Sequence, residues 1–116
     1  MKQKENIIVI KTLNFALEII KYCETLDEKR KYVIARQLLK SGTSIGANIR
    51  EAQNAESKKD FIHKFKIAAK EMDETEYWLE LCHLSDNYPP TNNLKEQLLE
   101  IVKIVNKIIS SSKRNN

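Results

Sequence analysis

Apolar residues recur along this chain at steps of three and four, the spacing that puts side chains on one face of an α-helix. Four such stretches follow one another. The first, about 7–24, has Leu13, Ala16, Leu17, Ile20 and Cys23 as its expected seam. Asp27 suits the N-cap of a second helix, with acidic Glu28 in its first turn. That helix, about 28–55, carries Ala35, Leu38, Gly42, Ile45, Ile49 and Ala52, alternating steps that read as a bundle or coiled-coil seam. Ser57 is a good cap for a third helix, about 58–84, with Asp60 three residues on in capping-box position. Its seam is the cleanest in the chain: Phe61, Phe65, Ala68, Met72, Thr75, Leu79 and Cys82. Asn87, Pro89 and Pro90 break that helix. A fourth, about 92–110, buries Leu94, Leu98, Ile101, Val105 and Ile108, and a polar, basic tail, 111–116, is expected to fray.

Short connections favour antiparallel neighbours, so the pattern predicts an all-α, antiparallel up-down-up-down four-helix bundle, one domain over 1–116. Composition agrees. An apolar share of 41% over 116 residues supplies one compact core and too little for two. Two glycines and two prolines are too few for a β-sandwich or a Gly-rich nucleotide fold. No apolar run approaches the roughly 18 residues of a membrane span. The opening residues Met1 to Asn6 lack the apolar core of a signal peptide, so the expected setting is cytoplasmic, with no membrane partner. Cys23 and Cys82 lie far apart without ligand spacing and read as buried thiols, a disulfide or metal role being the alternative.

Some residues exceed what a minimal bundle needs. Leu99, Val102, Ile104 and Ile109 flank the fourth seam, and the first helix opens on Ile7, Ile8, Val9 and Ile10. They form either a wide core-facing stripe or a second apolar face that marks a subunit interface; Tyr77 and Trp78 add to the second reading. Gly42 and Gly46 lie one turn apart in a poor helix sequence, so the helix either kinks there or lets another backbone come close. Asn48 and Glu51, three apart, form a potential local polar pair.

Charge is mildly basic, +4 with a pI near 9.0, which permits contact with nucleic acid without requiring it. Lys59, His63, Lys66 and Lys70 recur on the outward side of the third helix, with Lys58 and Lys64 beside them, while Glu71, Asp73, Glu74, Glu76 and Glu80 fill its second half. This order opposes the helix macrodipole. It is either a solvated charged face or a stripe that meets phosphates or a neighbouring subunit. Lys58, Lys59, Lys66, Lys70, Lys113 and Arg114 make up the candidate nucleic-acid-binding rim. No aromatic platform interleaves with these lysines, so the expected contact is backbone electrostatics. Catalytic or metal chemistry is not apparent: Glu80 and His83 stand at i and i+3, but a di-iron bundle needs that pair twice. No cofactor is implied.

The segment Ser44-Ile45-Gly46-Ala47-Asn48-Ile49-Arg50-Glu51-Ala52, followed by Asp60-Phe61-Ile62 and Lys66-Ile67-Ala68, resembles a known family. It is similar to the four-helix-bundle proteins encoded within intervening sequences of bacterial 23S ribosomal RNA genes. The resemblance runs over nearly the whole chain and takes in Ala16 and Glu76. Family members often have Pro where Gly46 stands and Gly where Ala52 stands. The resemblance implies a non-enzymatic bundle that assembles with itself as a homopentameric ring. A related branch serves as an accessory subunit of reverse transcriptases in diversity-generating retroelements and binds nucleic acid and the polymerase. RNA or DNA, or a protein partner, are therefore the expected partners. No catalytic residue carries over; Asn48 and Glu51 match signature positions of undefined role.

Overall fold

Residues 6–114 are described by the structure, a computed structural model. Met1–Glu5, read above for a signal peptide, and Asn115 and Asn116 of the expected tail lie outside them. Four helices follow one another: α1 Asn6–Glu28, α2 Tyr32–Ala52, α3 Lys58–Leu84 and α4 Asn92–Arg114. Each packs on its two neighbours, α1 on α2 and α4, α3 on α2 and α4, with the diagonal pairs further apart. The result is an all-α four-helix bundle, a rod of 49 × 22 × 20 Å.

Asp27 is not the cap of α2. It lies inside α1, which runs on to Glu28. There Lys31 N donates to Leu26 O at 2.8 Å and Arg30 N to Asp27 O at 2.9 Å, the paired bonds of a Schellman C-terminus. Arg30 takes the left-handed position of that motif, with φ 63°. These bonds satisfy the last carbonyls of α1, and α2 then starts at Tyr32 without a side-chain cap on Lys31. At its other end α2 stops at Ala52 rather than 55; Gln53, Asn54 and Ala55 bond three residues back instead of four. Ser57 does cap α3, its side chain accepting from Asp60 N at 3.0 Å. The fourth helix extends through 111–114, beyond the expected fraying point.

The expected seams of α2 and α3 are buried, Phe61 in part. So are Leu94, Leu98, Ile101 and Val105 of α4, while Val102, Ile104, Ile108 and Ile109 pack partly buried against the core. The seam of α1 is different. Ile8, Thr12, Phe15, Ile19, Tyr22, Cys23 and Leu26 are buried, whereas Leu13 and Leu17 are 50% exposed and Ile20 38%. The helix carries two apolar stripes, and sequence periodicity alone ranks the wrong one first.

Gly42 and Gly46 select between them. A methyl group on Gly42 would stand 2.9 Å from both Cγ1 and Cγ2 of Ile19, and one on Gly46 would stand 3.3 Å from the Thr12 backbone oxygen. Close approach is therefore the role of the two glycines, and α2 continues through them as one helix. Thr12 is accommodated because its hydroxyl donates to Ile8 O at 2.8 Å. Across the α2–α3 contact, buried Thr75 bonds Ser41 Oγ at 3.0 Å and Glu71 O at 2.7 Å. Both thiols are free and buried.

Gly42→Ala is expected to destabilise the bundle by about 1–3 kcal/mol through overpacking, more than the ~1 kcal/mol that Ala gains in a helix. Urea unfolding of Gly42→Ala, Ile19→Ala and the double variant measures this; the double variant should cost less than the sum of the singles. Burial pushes the Cys23 thiol from 9.0 up to about 12 and raises that of Cys82 as well. The unfolded chain then ionises its thiols first, so stability is full below about pH 9 and falls from there toward the folded value. Urea midpoints across that range should decline, with a slope that Cys23→Ala reduces, and native protein should be inert to Ellman's reagent until it is unfolded.

Candidate nucleic-acid interface

The capped start of α3 fixes which of its residues face outward. With Phe65, Ala68 and Met72 buried, the opposite side presents Lys59, His63, Lys66 and Lys70, all exposed. Lys58, Lys59, His63 and Lys66 line a shallow cleft of about 520 Å³ with Ile62. Lys70 continues the stripe about one turn further on. Lys113 and Arg114 stand exposed in the last turn of α4, on the neighbouring helix. Lys58 also borders an apolar cavity of about 860 Å³ with Ile8, Phe61, Phe65, Ile104 and Ile108, so the start of α3 and the end of α4 share one end of the rod. Lys58, Lys59, Lys113 and Arg114 are therefore near one end, while Lys66 and Lys70 carry the stripe to the middle of α3; three of the six share one cleft.

Among the described residues the ion pairs are Lys11–Glu100, Lys21–Glu18, Lys64–Glu51 and Lys95–Glu80. None involves a rim residue. The acidic half of α3 is largely exposed as well, at Asp73, Glu74, Glu76 and Glu80. Glu71 is half-buried, and that burial, with Glu74 close by, raises its carboxyl above the usual range.

Asn48 and Glu51 do not pair with each other. Asn48 Nδ2 donates to Ser44 O at 2.9 Å within α2. Glu51 Oε1 accepts from Lys64 Nζ at 3.0 Å, an α2–α3 tie that also raises the Lys64 pKa. The two signature positions thus face different tasks, one local and one between helices. Glu80 is held by Lys95 at 3.2 Å rather than by His83. Among the described residues no three His, Cys, Asp or Glu side chains gather as a metal site. No helix there is long and apolar enough to cross a membrane.

Sequence reasoning missed a second cluster, at the other end of the rod. The Schellman turn after α1 and the loop after α3 bring Arg30, Lys31, Tyr32, Trp78 and Tyr88 to one cleft. Lys31 Nζ lies 5.0 Å from the centroid of the Tyr88 ring. The run Lys29-Arg30-Lys31-Tyr32 was a visible signal, but only the fold sets it beside Trp78 and Tyr88, which are some fifty residues away.

A crystal structure of a protein of unknown function from the S23 ribosomal protein family of Bacteroides thetaiotaomicron is 42% identical to this chain. That match covers 89% of this chain and 98% of the other, with a TM-score of 0.85. No curated protein matches. The family model described as 23S rRNA-intervening sequence protein matches residues 4–110. With nearly its full length matched, the chain belongs to the family of 23S rRNA-intervening sequence proteins.

Proposed function

We propose that this protein is a non-enzymatic, homo-oligomeric bundle that contacts RNA or DNA through the basic rim of Lys58, Lys59, Lys66, Lys70, Lys113 and Arg114. The observation that carries the reading is the outward lysine stripe of α3, which lacks counter-ions among the described residues while other lysines are paired. Unpaired, exposed ammonium groups in one cleft are free to exchange their hydration for phosphate oxygens, with release of counterions from the nucleic acid. The resemblance drawn from the sequence implies five copies in a ring.

A second reading, a protein-interaction scaffold or an accessory subunit like that of the reverse-transcriptase branch, is favoured by a different observation. Ile10, Leu13, Leu17 and Ile20 line the face of α1 opposite its core, exposed between 38% and 50%. A stripe of this kind is what an apolar contact with another chain requires. The two readings are compatible where the stripe serves self-assembly and the lysines serve the nucleic acid.

The triple variant Lys59→Glu, Lys66→Glu, Lys70→Glu should keep its helical circular dichroism and lose binding to duplex DNA and structured RNA in fluorescence anisotropy. For the parent, the slope of log affinity against log salt should be about −0.9 for each phosphate contacted on duplex DNA. Unaltered affinity in the triple variant would overturn the rim. Leu13→Asp with Leu17→Asp should leave the bundle helical and reduce the mass measured by sedimentation equilibrium to that of a monomer.

A further inference from the structure

At the end of the rod away from the lysine rim, a cleft of about 450 Å³ opens between the start of α2, the end of α3 and the loop that follows it. Three of its lining residues are aromatic: Tyr32, 49% exposed, and the half-buried Trp78 and Tyr88. Its only charged lining residues are Arg30 and Lys31, both cations.

These groups are held in place. Trp78 Nε1 donates to Glu74 Oε2 at 3.1 Å, and the Tyr77 ring meets the indole edge-on at 5.2 Å. Next to Tyr88, Pro89 O accepts from the Tyr22 hydroxyl at 2.8 Å, which ties the α3–α4 loop to α1. Lys31 is set over the Tyr88 ring at cation–π distance. Arg30 occupies the left-handed C′ position with φ 63°, where glycine fits at least cost. A cation just past the C-terminus of α1 complements the helix dipole, and the same arginine lines the aromatic cleft.

We infer that this cleft binds single-stranded nucleic acid, its rings taking an unpaired base and Arg30 and Lys31 the adjoining phosphates. The inference shares its partner class with the nucleic-acid reading above but stands on other residues, with Trp78 about 28 Å from Lys59 and about 12 Å from Lys70 along α3. The chemistry selects the ligand. Aromatic faces stack any base, and two cations on the lining, against the one carboxylate of Glu74 that the Trp78 indole engages, favour an anion. A nucleotide supplies both, a planar base and a phosphate. A duplex keeps its base faces stacked on one another, so the cleft discriminates in favour of single strands.

Trp78 is the only tryptophan in the chain, so its emission reports the cleft directly. A single-stranded oligoadenylate should quench that emission saturably in the parent protein and equally in the variant Lys59→Glu, Lys66→Glu, Lys70→Glu. Blunt duplex DNA should not. Tyr32→Leu and Tyr88→Leu should each weaken the oligoadenylate midpoint about fivefold or more, as expected for loss of one stacking contact. Arg30→Gly should raise the melting temperature yet weaken binding, opposite signs that a purely structural arginine would not give. Unquenched emission while anisotropy shows the oligoadenylate bound overturns the cleft and leaves the rim standing. Absence of oligoadenylate binding by both methods overturns the cleft, while the rim stands or falls on its duplex and structured-RNA binding. Emission that changes with protein concentration but not with oligoadenylate assigns the cleft to a second copy of the chain, and equal quenching by duplex overturns the preference for single strands.

Discussion

The contact between α1 and α2 is the constraint on which the rest of this molecule depends. Ile19 and Thr12 lie against positions 42 and 46; a Cβ at 42 would clash with Ile19 at 2.9 Å, and one at 46 would press on Thr12 at 3.3 Å. Two helices this close can mate in one rotational setting. That setting turns Phe15, Ile19 and Leu26 into the core, where all three are fully buried. It also decides what α1 leaves outside. Ile10, Leu13, Leu17 and Ile20 are as apolar as the buried stripe, and burial of either would stabilise a bundle by a similar area term. The glycines break the tie by sterics rather than by hydrophobicity, and the outward stripe is the consequence.

The two ends of the rod are built differently. At one end Ser57 caps α3 through its side chain, and the helix proceeds into a lysine-rich first turn. At the other a Schellman turn closes α1 and Pro89 anchors the opposite loop on Tyr22. Along the outer face of α3 the charge runs from basic to acidic, against the macrodipole. Each such mismatch is worth a few tenths of a kcal/mol at an exposed site, too little to disturb a helix whose inner face is fully buried. The fold therefore neither requires nor forbids this charge order.

How far the sequence discloses the molecule varies by helix. α3 is read correctly because its seam is a single apolar line bounded by charges, and because Ser57 and Asp60 mark its start. α2 is read correctly in its core and incorrectly at its start, since Asp27 has the chemistry of a cap but sits where α1 still has Leu26 to bury. Arg30 hides the true boundary: glycine there would have signalled it. α1 is misread because periodicity counts apolar residues and cannot see the glycines on the facing helix. The rim lysines are legible as a stripe, whereas the aromatic cleft joins residues from three separate segments and exists only once the helices are antiparallel. Asn48 and Glu51, close in sequence, part company because one points along its helix and the other reaches Lys64 on α3.

The diagonal arrangement of the bundle relates these surfaces to one another. α1 and α3 stand on a diagonal of the rod, each flanked by α2 and α4, and meet through core side chains such as Tyr22 and Cys82. The apolar stripe of α1 and the charged stripe of α3 consequently face away from each other across the rod. A contact between copies that sets α1 against a neighbour's face other than α3 leaves the outer face of α3 open on every copy. Such an assembly would multiply the lysine cleft without occluding it, and repeated weak phosphate contacts gain strength through effective concentration rather than through new chemistry. The mild net charge of +4 is then no argument against nucleic-acid contact, because what a polyanion meets is the local array on each α3 and not the average over the chain.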